Sequence, residues 1–422
     1  MKFVMGCYGT RGDVEPCAAL GLELQRRGHE VRMAVAPDLV DFTESVGLPA
    51  IAFGPEARAW QDLHRDVLNH AFRKFWRVSD LVSLARQDRG LFDQCWQDAR
   101  VTLMSLAEGA DLLLTGVIAE QAAANIAEYY DIPLATVHTF PMRANGQLVS
   151  GLPAVVARSA MTASEWLGWP AVKKLEDAQR RELGLPKVVG PASRRIAERG
   201  SLEIQAYDEV CFPGLAAEWA KFGGRRPFVG ALTTESPTGA DQEVASWIAA
   251  GPPPIFFGFG STLVNSPAET VAMISAACAE LGERALICAG GTDFSRVADS
   301  SNVKVVDALN YTTIFPTCRA VVHHGGAGTT AVGMRSGVPT LILSTWGDQA
   351  VWGARVRRLK VGLTRRFSAT TRASLVADLR KVLAPECVAR ARELATKMTR
   401  PAESLTAAAD LVENFARSRR LR

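Results

Sequence analysis

Short apolar segments alternate along this chain with longer segments in which apolar residues recur at helical spacing. The first apolar segment, "KFVMGCYG", predicts a buried strand that ends in glycine. The segment after it places Cys17, Leu20 and Leu24 on one predicted helix face and stops at Gly28. "EVRMAVAP", "ADLLLTG" and "IPLATVHTF" continue the alternation. Strands separated by helices predict a parallel sheet with right-handed crossovers.

Two such regions are separated by a stretch rich in proline and glycine. Between residues 56 and 105 the first alternation is interrupted by a predicted helical stretch that carries several aromatic side chains. A second alternation begins at "PIFFGFGS", and Pro401 precedes a last amphipathic helix. We therefore predict an α/β protein with four parts: an N-terminal Rossmann-like domain over 1–211, a connector and start of the second domain over 212–254, a C-terminal Rossmann-like domain over 255–400, and a final helix over 401–422.

Composition supports this picture and excludes some classes of protein. With 422 residues the chain is long enough for two domains, and 48% hydrophobic and 22% charged residues are typical of a soluble globular protein. The net charge of +4 is weak, so we expect no nucleic-acid partner. Its eight cysteines form no C-x-x-C pair, the start is unlike a signal peptide, and no apolar run could span a membrane. We expect a cytoplasmic protein.

Residues 320–330, "AVVHHGGAGTT", combine two histidines, three glycines and two threonines. The pattern predicts a buried strand, a glycine turn and a helix that stops at Gly337. The N-terminus of a helix presents unpaired N–H groups and the positive end of a dipole. Imidazole donors beside it favour a phosphate or diphosphate as ligand. The alternative from these residues alone is an ordinary glycine loop with two partly buried histidines.

Other ligand motifs are missing or misplaced. The glycines after the first strand, in "GCYGTRG", have the wrong spacing for a dinucleotide site, and there is no Walker P-loop. The remaining histidines are scattered and no close aspartate pair follows a strand, so we expect no metal. No pair of carboxylates indicates a glycoside hydrolase.

Four motifs occur in the same order as in a known family. "GTRGDVEP" after the first strand, "GFGST" at 258–262, "AVVHHGGAGTT" at 320–330 and "GVPTLILSTWGDQ" at 337–349 resemble the inverting family 1 glycosyltransferases. The resemblance covers nearly the whole chain and implies the GT-B fold: two facing, doubly wound parallel-sheet domains with a cleft between them. Segments such as "RRELGLP" and "FPGLAAEW" are most similar to mycobacterial-type enzymes that add deoxysugars to glycopeptidolipids.

The resemblance also implies which residues bind the donor. His323 would stabilise the leaving diphosphate, the glycine turn would add backbone N–H groups, and Asp348 and Gln349 would bond the sugar hydroxyls. The backbone at Leu309 and Asn310 would meet the base, although Asn310 stands where the family more often has proline. The implied donor-binding residues are Thr10, Arg11, Gly12, Ser261, Thr262, Leu309, Asn310, His323, His324, Gly325, Gly326, Ala327, Gly328, Thr329, Asp348 and Gln349.

On the acceptor side, the aspartate of the family's "G-[ST]-R-G-D" motif falls on Asp13. The resemblance makes it the catalytic base, with His323 as the other catalytic residue; the alternative is that Asp13 only caps a helix. His138 is the next candidate for the base. Aromatic stretches at 60–96 and 138–170 predict an apolar lining for a large acceptor. The expected acceptor-binding residues are Trp76, His138, Phe140, Met142 and Trp166.

The expected reaction is metal-independent, inverting sugar transfer without a cofactor. The resemblance implies a dTDP- or UDP-sugar donor, with a deoxyhexose such as rhamnose, and a lipid, lipopeptide or other natural-product acceptor. Two alternatives stay open: a UDP-glucose-dependent sterol or polyketide glucosyltransferase, and an inactive nucleotide-sugar-binding protein. The tail "RSRRLR" is either a contact with the inner face of the membrane or a disordered end.

Overall fold

The computed structural model of the protein divides the chain into two compact units. The first unit comprises residues 1–206, 214–232 and 402–422, and the second comprises 207–213 and 233–401. None of the helices described is long and apolar enough to cross a membrane. The structure describes residues 1–63, 67, 78–149, 151–234, 238–260, 266–290, 302–345 and 347–420.

Unit 1 contains a six-stranded parallel sheet with the order β3-β2-β1-β4-β5-β6. Its central strands are mostly apolar and are buried along nearly their whole length because helices cover both faces of the sheet. The strands are β1 (Lys2–Cys7), β2 (Glu30–Val35), β3 (Ala50–Ala52), β4 (Leu112–Thr115), β5 (Leu134–His138) and β6 (Leu202–Gln205).

The helices of unit 1 cover the sheet with two apolar layers. One layer contains Leu20 and Leu24 of the first helix, and the other contains Trp96 and Leu103 of a long third helix. Apart from the C-terminal helix, the helices described in unit 1 are α1 (Arg11–Arg26), α2 (Val40–Ser45), α3 (Val78–Ala107), α4 (Glu120–Tyr129), α5 (Ala154–Glu182), α6 (Ala192–Glu198) and α7 (Leu215–Trp219).

The C-terminal helix, Pro401–Arg420, packs on unit 1. Val412 and Phe415 on its apolar face lie in the same core cluster as Leu24 of α1. Arg27 Nη1 donates to the carboxylate of Asp410 at 2.6 Å, so an ion pair accompanies the apolar contact. The two ends of the chain therefore belong to one unit.

Unit 2 has a parallel sheet with the order β12-β11-β10-β7-β8-β9. His323 on β10 is paired in register with Gly258 on β7 and with Ile342 on β11. The strands are β7 (Ile255–Gly258), β8 (Ala285–Cys288), β9 (Val303–Val306), β10 (Ala320–His323), β11 (Thr340–Ser344) and β12 (Gly362–Arg366).

The helices of unit 2 alternate with these strands along the chain. They are α8 (Asp241–Ala249), α9 (Pro267–Leu281), α10 (Tyr311–Ile314), α11 (Ala327–Arg335), α12 (Asp348–Arg358), α13 (Arg372–Val382) and α14 (Pro385–Ala395). Single 3₁₀ turns lie at Pro37–Leu39, Glu209–Cys211, Ala220–Phe222, Phe315–Thr317 and Phe367–Ala369.

The segment 212–254, expected to be the connector and the start of the second domain, is divided between the two units. Residues 214–232 belong to unit 1 because part of this segment lies along the outer edge of its sheet. The Glu203 N–H donates to the Arg225 carbonyl at 2.8 Å, and the Val229 N–H donates to the Gln205 carbonyl at 3.1 Å. These backbone bonds satisfy the free edge of β6.

Several aromatic residues expected to line an acceptor cleft pack in or against the core beneath α3. Trp60 packs against Tyr8 with ring centroids 5.5 Å apart, and Phe92 packs against both Trp60 and Trp96. Trp96 is 4% exposed. Trp96 is therefore enclosed where α3 covers the sheet, and a ligand-lining role is wrong for this side chain. Trp60 and Phe92 are only partly buried, and a lining role for them stays a prediction.

Candidate functional site

Each sheet has one position where the strand order reverses. In unit 2 the chain runs outward from β7 through β8 to β9, then returns to β10 and runs outward the other way. In unit 1 the corresponding reversal lies between β1 and β4. Open α/β sheets bind ligands beyond the carboxyl ends of the strands at such switch points. His323 ends β10, and Asp13 follows β1, so each predicted catalytic residue lies at a switch point.

His323 is buried and holds one ring nitrogen ready to donate. The Gly325 N–H donates to its Nδ1 at 3.0 Å, which requires a lone pair there and puts the ring proton on Nε2. Nε2 is buried and has no hydrogen-bond partner among the residues described. Burial and the neighbouring His324 hold the pKa of His323 well below its usual range. The ring is therefore neutral at pH 7, with one unsatisfied N–H donor.

The glycine turn after His323 leads directly into the N-terminus of α11. Gly325 has φ +100°, and a Cβ at this position would lie 2.7 Å from the side chain of Ile342. The N–H groups of residues 327–329 lie in the first turn of α11 and therefore lack intrahelical partners. The N-cap is Gly326, which has no side chain to accept from them. The Thr330 hydroxyl is bonded to the Gly326 carbonyl at 2.8 Å, whereas Thr329 is partly buried in the first turn. The turn thus presents backbone donors beside the His323 N–H.

His324 packs between two glycine loops. A Cβ at Gly260 or at Gly326 would lie 2.5 or 2.6 Å from its ring, so both glycines leave room for the imidazole. Its Nδ1 is buried without a hydrogen-bond partner in the described part of the chain. Burial lowers the pKa of His324 to about 4, although the Gly258 backbone opposes the shift. His324 therefore contributes a second neutral imidazole to this region.

The predicted base contact, Leu309 and Asn310, lies in a well-braced turn. Both residues are nearly buried, and the Asn310 side chain caps α10 by accepting from the Thr312 N–H at 3.1 Å. The Asn310 N–H donates to Asp241 at 2.9 Å. Asparagine is a good N-cap where proline could not cap, which accounts for its presence here.

Asp348 and Gln349 open α12, directly beyond β11. Asp348 is partly exposed at the first helical position. The Gln349 side-chain oxygen accepts from both the N–H and the hydroxyl of Thr345, at 2.8 Å each. Gln349 therefore uses its side-chain oxygen to brace its own loop. Ser261, Thr262 and Trp76 lie outside the described residues.

Asp13 is held by the turn that follows β1. Its Oδ2 accepts from the N–H of Thr10 at 2.8 Å and from the Thr10 hydroxyl at 3.1 Å. Thr10 is the N-cap of α1 and Asp13 is the third helical residue, so Asp13 is not the N-cap itself but caps the helix as the partner of Thr10 in a capping box. Gly9 has φ +131°, and a Cβ there would lie 2.4 Å from Oδ2.

Only one of the two carboxyl oxygens of Asp13 takes part in the bonds from Thr10. Oδ1 has no hydrogen-bond partner among the residues described. Burial raises the pKa of Asp13 above its usual value, while the two bonds from Thr10 oppose the shift. Of the neighbouring predicted donor ligands, Gly12 is exposed, and Arg11 pairs with Glu15 at 3.0 Å and covers the ring of Phe42.

His138 lies in a buried ion network that the sequence did not indicate. Its Nε2 lies 3.1 Å from Glu120, and Gln205 lies 3.4 Å from Nδ1, so both ring nitrogens have partners. The ring is 0% exposed. This geometry contradicts the expected contact of His138 with an acceptor, because the ring is enclosed. The same network includes Arg143.

The predicted acceptor residues Phe140, Met142 and Trp166 have accessible surface. Phe140 and Met142 are half-buried in the loop after β5. Trp166 is 40% exposed on α5 and packs edge-on against Trp169 with ring centroids 5.9 Å apart. Within the described ranges, no group of three or more His, Cys, Asp or Glu side chains is arranged to hold a metal ion.

Two family descriptions match the two halves of the sequence. Residues 3–95 match the glycosyltransferase family 28 N-terminal domain. Residues 268–414 match the C-terminal domain of the erythromycin biosynthesis protein CIII-like family.

Full-length relatives and solved structures agree with these matches. An uncharacterized glycosyltransferase of Mycobacterium tuberculosis is 57% identical over 422 residues, covering 100% of both chains. The vancomycin aglycone glucosyltransferase of Amycolatopsis orientalis is 28% identical and covers 94% of this chain and 93% of its own length. The calicheamicin glycosyltransferase structure has a TM-score of 0.71 at 18% identity and 98% coverage of both chains. The glycosyltransferase VinC, solved in complex with dTDP, has a TM-score of 0.64 at 18% identity and 100% coverage of both.

Proposed function

Because this chain belongs to the glycosyltransferases with the GT-B fold, we propose that it moves a sugar from a nucleoside diphosphate to an acceptor hydroxyl, with inversion. The observation that carries the proposal is the set of unsatisfied donors beyond β10. The buried Nε2–H of His323 has no partner in the described chain, and the first-turn N–H groups of α11 have no partner within the helix and no capping side chain. Buried donors without partners are costly, and an anion at this place would satisfy them.

These donors stabilise the leaving group. As the bond between the sugar and the diphosphate breaks, negative charge grows on the departing oxygen. The neutral tautomer of His323 donates through Nε2, and the N–H groups of residues 327–329 add the helix dipole. Since the donors are fixed in advance by Gly325 and the helix, they need no rearrangement when the charge develops.

Asp13 activates the nucleophile. The acceptor oxygen bonds to the anomeric carbon, its proton passes to Asp13 Oδ1, and the diphosphate leaves with the former bonding pair. The geometry supporting this role is the carboxylate held through Oδ2 by Thr10, with Oδ1 left without a partner. Burial raises the pKa of Asp13 towards the range in which a general base works well.

The donor carries thymine or uracil, the sugar is a deoxyhexose such as rhamnose, and the reaction uses no metal and no cofactor. VinC bound to dTDP supports the thymine nucleotide, and the neutral histidine donors supply charge stabilisation that a metal gives elsewhere. The acceptor is a lipid, lipopeptide or other natural product of mycobacterial type, in keeping with the relatives from Mycobacterium. The basic tail, residues 417–422, contributes attraction to anionic lipid.

A thermal-shift screen tests the donor site. With dTDP, UDP, GDP and ADP at about 100 times the Kd, a ligand bound only to the folded protein stabilises it by about 2.7 kcal/mol, a shift of roughly 5–10 °C. We expect dTDP or UDP to give this shift in the presence of EDTA. His323→Ala should lose most of it and lower the transfer rate by about 10²–10³.

His29→Ala is the control, since His29 is a largely buried histidine in unit 1. It should keep the full nucleotide shift. A shift that disappears with EDTA and returns with Mg²⁺ would refute this account of charge stabilisation.

A further inference from the structure

The loop between β5 and α5 is unusually well braced for an irregular segment. Asn145 is 0% exposed, and its side-chain oxygen accepts from the N–H groups of Gln147 and Leu148 at 2.8 Å each. The Gly146 N–H donates to both oxygens of Glu218 at 3.0 Å. A Cβ at Gly146 would lie 2.8 Å from the backbone of Ala154, so the loop also packs closely on the start of α5. These contacts fix the backbone around residues 145–148.

Arg143, in the same loop, is a buried clamp between neighbouring strand ends. Its Nη1 donates to Glu120 at 3.0 Å, its Nη2 bonds the other oxygen of Glu120, and its Nε bonds Glu203. Glu120 opens α4 directly after the β4 loop, and Glu203 lies on β6. Arg226 donates to the second Glu203 oxygen at 2.8 Å, so two carboxylates face two guanidinium groups. One side chain therefore ties the loop after β5 to its neighbours on both sides.

The buried charges of this network depend on their oppositely charged partners. Burial alone would raise the pKa of Glu120, but Arg143 and His138 lower it to about 2. Removing one partner would leave a buried charge unpaired, which is strongly destabilising. An apolar cluster of similar volume would stabilise the unit equally well, so a buried ion network is weak evidence for a role in stability alone. What the network does supply is a set of directional bonds from one side chain to Glu120 and Glu203.

The clamp lies beside the candidate base. Gly6 of β1 is paired with Thr115 of β4, and Thr115 is paired with Thr136 of β5. Strands about 4.8 Å apart put the ends of β1 and β5 about 10 Å from each other. The start of α1 with Asp13, the loop over 116–119 and the loop after β5 thus lie side by side at the carboxyl edge of the sheet.

Apolar side chains on these loops remain accessible. Ile118, in the loop after β4, is 36% exposed, and Phe140 and Met142 are half-buried on either side of Pro141. Met142 immediately precedes Arg143 and Phe140 lies three residues before it, so both side chains lie on the short segment that the clamp holds. An accessible apolar surface next to a general base suits a substrate with an apolar portion beside the reacting hydroxyl.

We propose that Arg143 is a positioning residue that fixes an apolar acceptor surface, formed by Ile118, Phe140 and Met142, relative to Asp13. This inference rests on the proposed glycosyltransferase function and deepens it. Arg143 touches no substrate. It acts by holding the surface in the position from which the acceptor hydroxyl reaches the base, and a displacement of about 1 Å there can cost up to 10² in rate.

The experiment compares Arg143→Lys with Arg180→Lys, using methyl, butyl and octyl β-glucoside as acceptors. Arg180 is an equally buried arginine of unit 1 that bridges Glu128 and Asn125 with 2.9 Å bonds. Glu128 lies near the other end of α4 from Glu120, away from the carboxyl edge of the sheet. Lysine keeps the charge in each variant but cannot bond two partners in the planar geometry of arginine.

We expect the wild-type protein to prefer octyl over methyl glucoside by at least tenfold in acceptor KM. Arg143→Lys should raise the KM for octyl glucoside about tenfold and reduce this preference, with nucleotide Kd unchanged. Arg180→Lys should lower the Tm by a similar amount and leave acceptor KM unchanged. Phe140→Ala, which shortens a half-buried side chain without disturbing the ion network, should also reduce the preference for octyl glucoside.

Two results would overturn the inference alone: equal effects of Arg143→Lys and Arg180→Lys on acceptor KM, or an octyl preference that survives in both Arg143→Lys and Phe140→Ala. A wild-type protein that binds no nucleoside diphosphate and transfers no sugar overturns the proposed function together with it.

Discussion

Replacing Asp13 by asparagine separates the two roles open to this residue, helix capping and catalysis. The cap uses only Oδ2, which accepts from the N–H and the hydroxyl of Thr10 at 2.8 and 3.1 Å. An asparagine oxygen can accept both bonds, and its amino group would occupy the place of the unpartnered Oδ1. The loss is the favourable interaction of a charge with the helix N-terminus, about 0.3–1 kcal/mol, and burial of the carboxylate already opposes that charge.

The expected outcome is therefore large in rate and small in stability. Asp13→Asn should lower the Tm by no more than about 4 °C and leave the nucleotide Kd unchanged. Transfer should fall by roughly 10²–10⁴, the usual contribution of a general base. That loss corresponds to about 2.7–5.5 kcal/mol of activation free energy.

Thr10→Ala is the matched control because it removes the capping hydroxyl and leaves the carboxylate. It should cost about 1 kcal/mol of stability but less than about tenfold in rate. The bonds from Thr10 lower the pKa of Asp13, so losing one raises it. Since a base works only when deprotonated, the acid limb of kcat/KM should move to higher pH in this variant.

The assay is transfer of sugar from the nucleotide found in the thermal-shift screen, followed by product mass spectrometry across pH 4–9. Near wild-type transfer by Asp13→Asn, with the same acid limb, would show that the base lies elsewhere. Equal losses of rate in Asp13→Asn and Thr10→Ala would instead identify the cap as the important feature.

Three further predictions concern the folded state. Phe415→Ala, in the apolar face of the C-terminal helix, should destabilise the protein by about 3 kcal/mol in urea unfolding, and a change below about 1 kcal/mol would contradict the packing of that helix. Because the pKa of Glu120 is lowered in the folded protein, its charge contributes stability that is complete above the unfolded pKa near 4.5 and is lost as pH falls towards 2. Glu120→Gln should therefore be less stable than the wild type at pH 7. Unfolding followed by circular dichroism should show a smaller loss of stability between pH 5 and 2 in this variant. Gly325→Ala should abolish the nucleotide-induced thermal shift, because φ +100° and contact with Ile342 force the turn to move; an unchanged shift would mean that the turn does not set the donor site.

The sequence alone determined the features that depend on neighbouring residues. Apolar runs such as β7 and β10 predicted buried parallel strands, since both faces of such strands are covered. The glycines after His323 predicted a turn and a helix start, and the structure places both there. The order of the motifs resembled the glycosyltransferases, and the family matches agree. Which sugar and acceptor the enzyme uses stays a prediction.

Tertiary structure decided the features that depend on residues distant along the chain. Arg143 meets Glu120 and Glu203 across 23 and 60 positions, and a periodic pattern records only whether a segment is buried, not which charge it faces. An arginine within the largely apolar loop after β5 was the one local signal of this network. The enclosure of His138 was missed for the same reason.

The proton on His323 Nε2 also required the fold. The folded turn brings the Gly325 N–H within 3.0 Å of Nδ1, and the packing around β10 buries the ring. The sequence supplied the imidazole and the flexible turn, whereas packing fixed the tautomer and left the other nitrogen without a partner.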